Sequence, residues 1–88
     1  MAANMHDLKI GGVTLYYSYD TCIAFRAEGV RVRRESDYSA ATRRHMYKHG
    51  VTNWDKLNDR DFERKMEDTI AADAIERMTE RLSRDQRP

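Results

Sequence analysis

The sequence predicts an α+β domain: a four-stranded antiparallel meander followed by two helices packed on one sheet face, the second helix long. Three observations carry this. Up to Glu35 the apolar residues alternate, through Leu8, Ile10, Val13, Leu15, Tyr17 and Tyr19 and again through Ile23, Phe25 and Ala27. From Ser39 onward they recur at helical spacing, ending in Phe62, Met66, Ile70, Ala74, Met78 and Leu82. A period of two marks a half-buried strand and a period near 3.6 an amphipathic helix. All strands precede all helices, which is the order of an α+β fold and not of βαβ units.

Each element follows from local signals. Gly11-Gly12 is a two-residue hairpin turn that pairs Ile10 with Val13 and Leu8 with Leu15. Glu28-Gly29 is a second turn, placing Ala27 opposite Val30 and Phe25 opposite Val32. Between them, phase decides the connection. A three-residue loop, Asp20-Thr21-Cys22, pairs Tyr19 with Ile23 and Tyr17 with Phe25, whereas a two-residue loop throws Phe25 onto the other face. The buried face then holds Leu8, Ile10, Val13, Leu15, Tyr17, Tyr19, Ile23, Phe25, Ala27, Val30 and Val32. The opposite face is expected to be wet, with Tyr16, Ser18 and Ala24 among Lys9, Thr14, Arg26, Arg31 and Arg33.

The first helix is expected over 39–49, with Ser39 as N-cap and Gly50 closing it in the left-handed conformation. Residues 51–57 connect the helices, with Trp54 filling the gap between them. Asn58 caps the second helix, over 59–84, whose first turns carry Asp59, Asp61 and Glu63 at the positive end of the helix dipole. About 39 Å long at 1.5 Å per residue, it overruns a domain whose radius of gyration should be near 12 Å. Ala71, Ile75, Met78 and Leu82 form a short 4-3-4 seam, which either meets a partner helix, a second copy included, or curls over the same domain. Residues 1–6 are expected to be a flexible N-terminus to one domain spanning 1–88.

Composition narrows the function. Cys22 is the only cysteine, so no internal disulfide forms. No apolar run approaches the roughly 18 residues of a membrane span, and no signal peptide is visible, so a cytoplasmic protein without a membrane partner is expected. The formal net charge is +1 but unevenly spread. Residues 1–38 balance, residues 39–50 carry Arg43, Arg44 and Lys48 with no acid, and residues 51–88 hold eight basic and ten acidic side chains.

Thr42, His45 and His49 share one helical face, but a stable zinc site needs a third ligand that neither His6 nor Cys22 is placed by spacing to supply. No metal and no cofactor are expected. His45 should pack at the helix–sheet seam and His49 should lie near the negative helix end. There is no nucleophile elbow, phosphate loop or paired-carboxylate motif, so catalysis is not expected.

Two binding roles remain. Nucleic acid would use Arg43, Arg44 and Lys48 on the first helix, together with Arg26, Arg31 and Arg33 around Tyr16 on the wet sheet face. An acidic last helix nearby would oppose it. A protein partner, from the host or a phage, is the leading expectation, with Ala71, Ile75, Met78 and Leu82 as its interface or as a homodimer interface.

The segment Tyr17-Ser18-Tyr19-Asp20-Thr21-Cys22-Ile23-Ala24-Phe25, followed by Ser39, Thr42, His45 and Met46 and then Asp61-Phe62, resembles a family of short proteins from bacteriophages, archaea and mobile elements whose function is unassigned. The resemblance covers Val13 to Met66. Tyr38 replaces a more usual Trp, Met46 replaces Leu, and the last helix is longer. The resemblance implies a phage-type accessory protein in a host cytoplasm. Inhibition of host defence, as by anti-CRISPR proteins, is one role such small non-catalytic proteins fill. It transfers no catalytic residues.

Overall fold

A computed structural model describes residues 5–35 and 39–85; the expectations for residues 1–4 and for Tyr38 lie outside them. In chain order the elements are β1 (Met5–Ile10), β2 (Val13–Ser18), β3 (Thr21–Ala27), β4 (Val30–Arg34), α1 (Ala40–His49), β5 (Asp55–Leu57) and α2 (Asp59–Asp85). β1 begins two residues before the expected Asp7. The sheet runs β1-β2-β3-β4-β5, antiparallel through β4, with β5 added parallel to β4. β5 lies in what the sequence reads as a connection. Its ladder continues into the bond from Glu35 N–H to the Leu57 carbonyl, 2.8 Å.

Both glycine turns set the expected registers, Ile10 to Val13 and Leu8 to Leu15, then Ala27 to Val30 and Phe25 to Val32. The middle hairpin differs. It turns in two residues, Tyr19-Asp20, so that Ser18 faces Thr21 and Tyr17 faces Cys22, not Phe25. A β-bulge then inserts Ile23, after which Tyr16 faces Ala24 and Leu15 faces Phe25. The extra residue that parity demands sits in the strand instead of the loop, and Ile23 moves with Ala24 to the second face. Tyr19 takes φ 55° in the turn, an uncommon conformation for a bulky side chain.

The bulge helps make this a two-sided sheet. On one face Val13, Leu15, Cys22, Phe25 and Val32 pack with Phe62 of α2, and Met66 and Ile70 continue the contact. On the other, Ile23 and Ala24 pack with Met46 of α1, Val51 and Trp54. The helices therefore occupy opposite faces, correcting the expectation that they share one. Tyr16, Ser18 and Ala24 are uncharged, and they leave α1 a seat between the charged ends of the strands. Trp54 meets Tyr16 edge-on at 5.6 Å on the α1 face and does not fill a gap between helices.

Caps follow the sequence. Ser39 Oγ accepts from Thr42 N–H at 3.2 Å, and Gly50 closes α1 with φ 77°. Asn58 Oδ1 accepts from Asp61 N–H at 2.8 Å. α2 has 27 residues, so it is about 40 Å long, and the radius of gyration reaches 15.3 Å.

At 100° per residue, Phe62, Met66, Asp73 and Arg77 fall on one side of α2. Beyond Ile70 this side turns polar: Asp73 accepts from Gly12 N–H at 3.1 Å and from Arg77 Nε at 3.0 Å. A Cβ at Gly12 would meet the Asp73 carboxylate at 2.7 Å, so a larger residue there would push that side chain aside. α2 crosses β2, β4 and β5 and leaves the β1 edge largely uncovered, so Leu8 and Ile10 remain 47% and 40% exposed, against the expected burial.

Candidate functional site

α1 brings together the residues of the hairpin and helix motifs. Ser18, 2% exposed at the end of β2, lies 3.1 Å from Thr42 Oγ1 and 2.7 Å from His45 Nδ1. Ser39 Oγ reaches Thr42 Oγ1 at 3.3 Å. These contacts join Ser39, Thr42, Ser18 and His45 into one polar chain that ties α1 to the end of β2, the sense of the Ser18–His45 bond following the imidazole tautomer. The Tyr19 ring lies 5.5 Å from that of His45, tilted by 49°.

His49 faces elsewhere. Its Nε2–H donates to the Tyr17 carbonyl at 3.2 Å, and its ring meets Tyr16 edge-on at 4.9 Å. The two helix histidines therefore have separate protein partners. His6 stacks on Tyr17 with centroids 4.8 Å apart. Cys22 lies on the α2 face, across the sheet from His45, and its thiol donates to the Ala24 carbonyl at 3.3 Å. Burial pushes its pKa up, opposite to what a reactive thiolate needs. Burial likewise raises the Tyr17 phenol.

The candidate nucleic-acid residues divide. Arg26 and Arg31 are exposed on the α1 face, directly opposite each other. Arg33 is half-buried, its Nη1 donating to Met46 Sδ at 3.3 Å and its Nε buried without a partner. Tyr16 is half-buried beneath His49 and Trp54, so it is not the exposed ring that the sequence suggests. That place belongs to Tyr47, 78% exposed on α1. Helical spacing sets it beside Arg43 and Arg44, with Lys48 one turn on from Arg44, all exposed. The signal was present in the sequence: Thr42, His45, Met46 and His49 already define the inner face of α1, leaving Tyr47 outside.

The opposite helix is different in kind. Between Asp59 and Ser83, α2 carries eight acids and five cations. Two of the acids, Asp59 and Glu63, hold Arg34 at 3.4 Å each, while its Nε donates to the Cys22 carbonyl at 2.6 Å and its guanidinium lies 4.4 Å over the Phe62 ring. The sheet and its two side-chain layers separate the helices by about 20 Å, more than two Debye lengths at physiological salt. The acidic helix therefore does not face a ligand on α1.

Ala71, Ile75, Met78 and Leu82 sit about 150° around α2 from the sheet-facing side. All four are exposed, with Ile75 at 64%, Met78 at 62% and Leu82 at 53%. The two stripes of α2 are opposed; the apolar one does not curl over the domain. Among the described residues no three metal-ligating side chains cluster, and no helix is long and apolar enough to cross a membrane.

No curated protein and no solved structure matches this chain. A family model does, over residues 1–65, which takes in the sheet, α1 and the first quarter of α2 and stops before the outward seam. By that match the chain belongs to DUF8033, a family of unknown function.

Proposed function

We propose that this protein is a small non-catalytic binding module whose principal partner is another protein, held through the outward seam of α2. The observation that carries this reading is the exposed 4-3-4 series Ala71, Ile75, Met78 and Leu82, set opposite the face that packs on the sheet. Large apolar side chains grouped on a surface mark interaction sites, and this spacing suits a helix as the partner element. A second copy of the chain is one such partner. The phage-type setting, the host cytoplasm and the narrower role of inhibiting host defence rest on the hairpin and helix motifs. The test is Ile75→Glu with Met78→Glu. Capture of a protein partner is lost in that variant while the thermal melt is unchanged; capture that survives refutes the seam as the interface. A light-scattering mass of one chain at high micromolar concentration refutes the second copy.

A second reading, nucleic-acid binding, is favoured by the separation of charge across the sheet. α1 presents Arg43, Arg44, Lys48 and the exposed Tyr47 ring with no acid in the helix. Cations around an exposed ring suit a single strand, whose bases stack and whose phosphates pair. Arg44→Glu with Lys48→Glu should abolish oligonucleotide binding without unfolding the protein, and unchanged binding refutes this reading.

A further inference from the structure

We propose that the open end of the α1 face, on the sheet itself, is a phosphate-binding site whose ligand is the backbone of a single nucleic-acid strand. This rests on the second reading above and extends it from α1 onto the strands. Lys9, Thr14, Arg26 and Arg31 are successive partners in one row across β1 to β4. Arg26 stands directly opposite Arg31, and no acid occupies the row. Like charges facing each other across strands destabilise a sheet. No ion pair among the described residues engages Lys9, Arg26 or Arg31; those present hold Arg34 and Arg77.

A second observation points the same way. In the next row, Arg33 lies beside Lys56 of β5, with its Nε buried and unpartnered. A partly desolvated and uncompensated guanidinium raises the positive potential of the whole face. In front of the row is an open groove of about 620 Å³, lined by Gly12, Thr14, Arg26, Gly29 and Arg31, with Glu28 and Asp55 also on its lining. Paired guanidinium forks suit phosphate oxygens, which they bind bidentately. From β1 to β4 the row spans three strand spacings, roughly 14 Å. A stacked strand advances about 3.4 Å per phosphate, so the row matches several consecutive phosphates and not one. The Tyr47 ring on the same side of the sheet supplies a stacking platform for the bases.

The experiment is fluorescence anisotropy of the full chain with a labelled oligodeoxythymidine, between 50 and 200 mM salt as in the usual range for such slopes. Each single-strand phosphate contact contributes about 0.7 to the slope of log K against log salt. Arg26→Gln with Arg31→Gln should therefore reduce the slope by about 1.4 and weaken binding by about tenfold or more at the lowest salt. Its circular-dichroism melt should be no lower than that of the wild type, since both side chains are exposed and a like-charge cross-strand pair is removed. Wild-type slope and affinity in this variant overturn the proposal; if Arg44→Glu with Lys48→Glu then abolishes binding, the nucleic-acid reading stands without it. No binding by the wild-type chain overturns both. Inorganic phosphate that displaces the strand at low millimolar concentration and constant ionic strength overturns the strand as ligand, and failure to displace it supports the strand.

Discussion

Replacing Phe62 with Ala should remove a large share of the stability of this protein, while the same change at Ile75, on the same helix, should remove almost none. Phe62 is fully buried, its ring edge-on to Phe25 with centroids 5.3 Å apart and beneath the Arg34 guanidinium. Truncating a buried Phe costs about 3–5 kcal/mol in transfer and cavity terms. An 88-residue domain at 0.05–0.15 kcal/mol per residue has only about 4–13 kcal/mol in total. The variant should therefore lose on the order of 15–30 °C in Tm. Ile75 is 64% exposed and away from the sheet, so Ile75→Ala should fall within about 0.5 kcal/mol of wild type. Urea unfolding followed by fluorescence of Trp54, the only tryptophan, measures both. Trp54 lies on the α1 face, so its response to Phe62→Ala also tests whether the two core layers unfold together. Equal losses at the two positions, or a loss below about 1 kcal/mol at Phe62, would refute the opposed stripes of α2.

Three further outcomes are expected. Arg34→Ala should cost about 2–4 kcal/mol, because it strips Phe62 and leaves the Cys22 carbonyl unpaired, while Glu63→Gln should cost under 1 kcal/mol, its carboxylate being 59% exposed; urea titration compares them. The Gly12 amide, and then Arg77, hold the Asp73 pKa below 3.8. Its contribution to stability is therefore complete above that value and lost as pH falls through the lower folded-state pKa, so Asp73→Asn should flatten the acid limb of Tm against pH, and an unchanged limb contradicts the tether. The buried, raised-pKa thiol of Cys22 should resist a thiol reagent in the native protein and react only as fast as the chain opens in urea; rapid native labelling would contradict its burial.

Most of the fold was legible where a local signal was strong. Gly11-Gly12 and Glu28-Gly29 set two registers, and Ser39, Gly50 and Asn58 placed the helix ends. The bulge was not legible, because an extra residue in the loop or in the strand gives Leu15 and Phe25 the same phase; only the tertiary seat for Ile23 under α1 chooses between them. β5 has three residues, too few for periodicity to show. The placement of α1 was misread because Arg26, Arg31 and Arg33 make their face look wet, although its middle, Tyr16, Ser18 and Ala24, carries no charge. For the binding surfaces, spacing identified the α2 seam and the basic residues of α1. It could not reveal that Tyr16 is covered, that Arg33 is half-buried, or that the acidic helix lies on the far side of the sheet.

The central claim is that the outward seam of α2 holds a protein partner while the basic face lies apart from it. The most direct measurement is capture from cell lysate with tagged protein, with and without nuclease, comparing wild type, Ile75→Glu with Met78→Glu, and Arg26→Gln with Arg31→Gln. The account predicts a nuclease-resistant protein band that the seam variant loses and the sheet variant keeps. A band retained by the seam variant, or capture that vanishes with nuclease in the wild type, would contradict it.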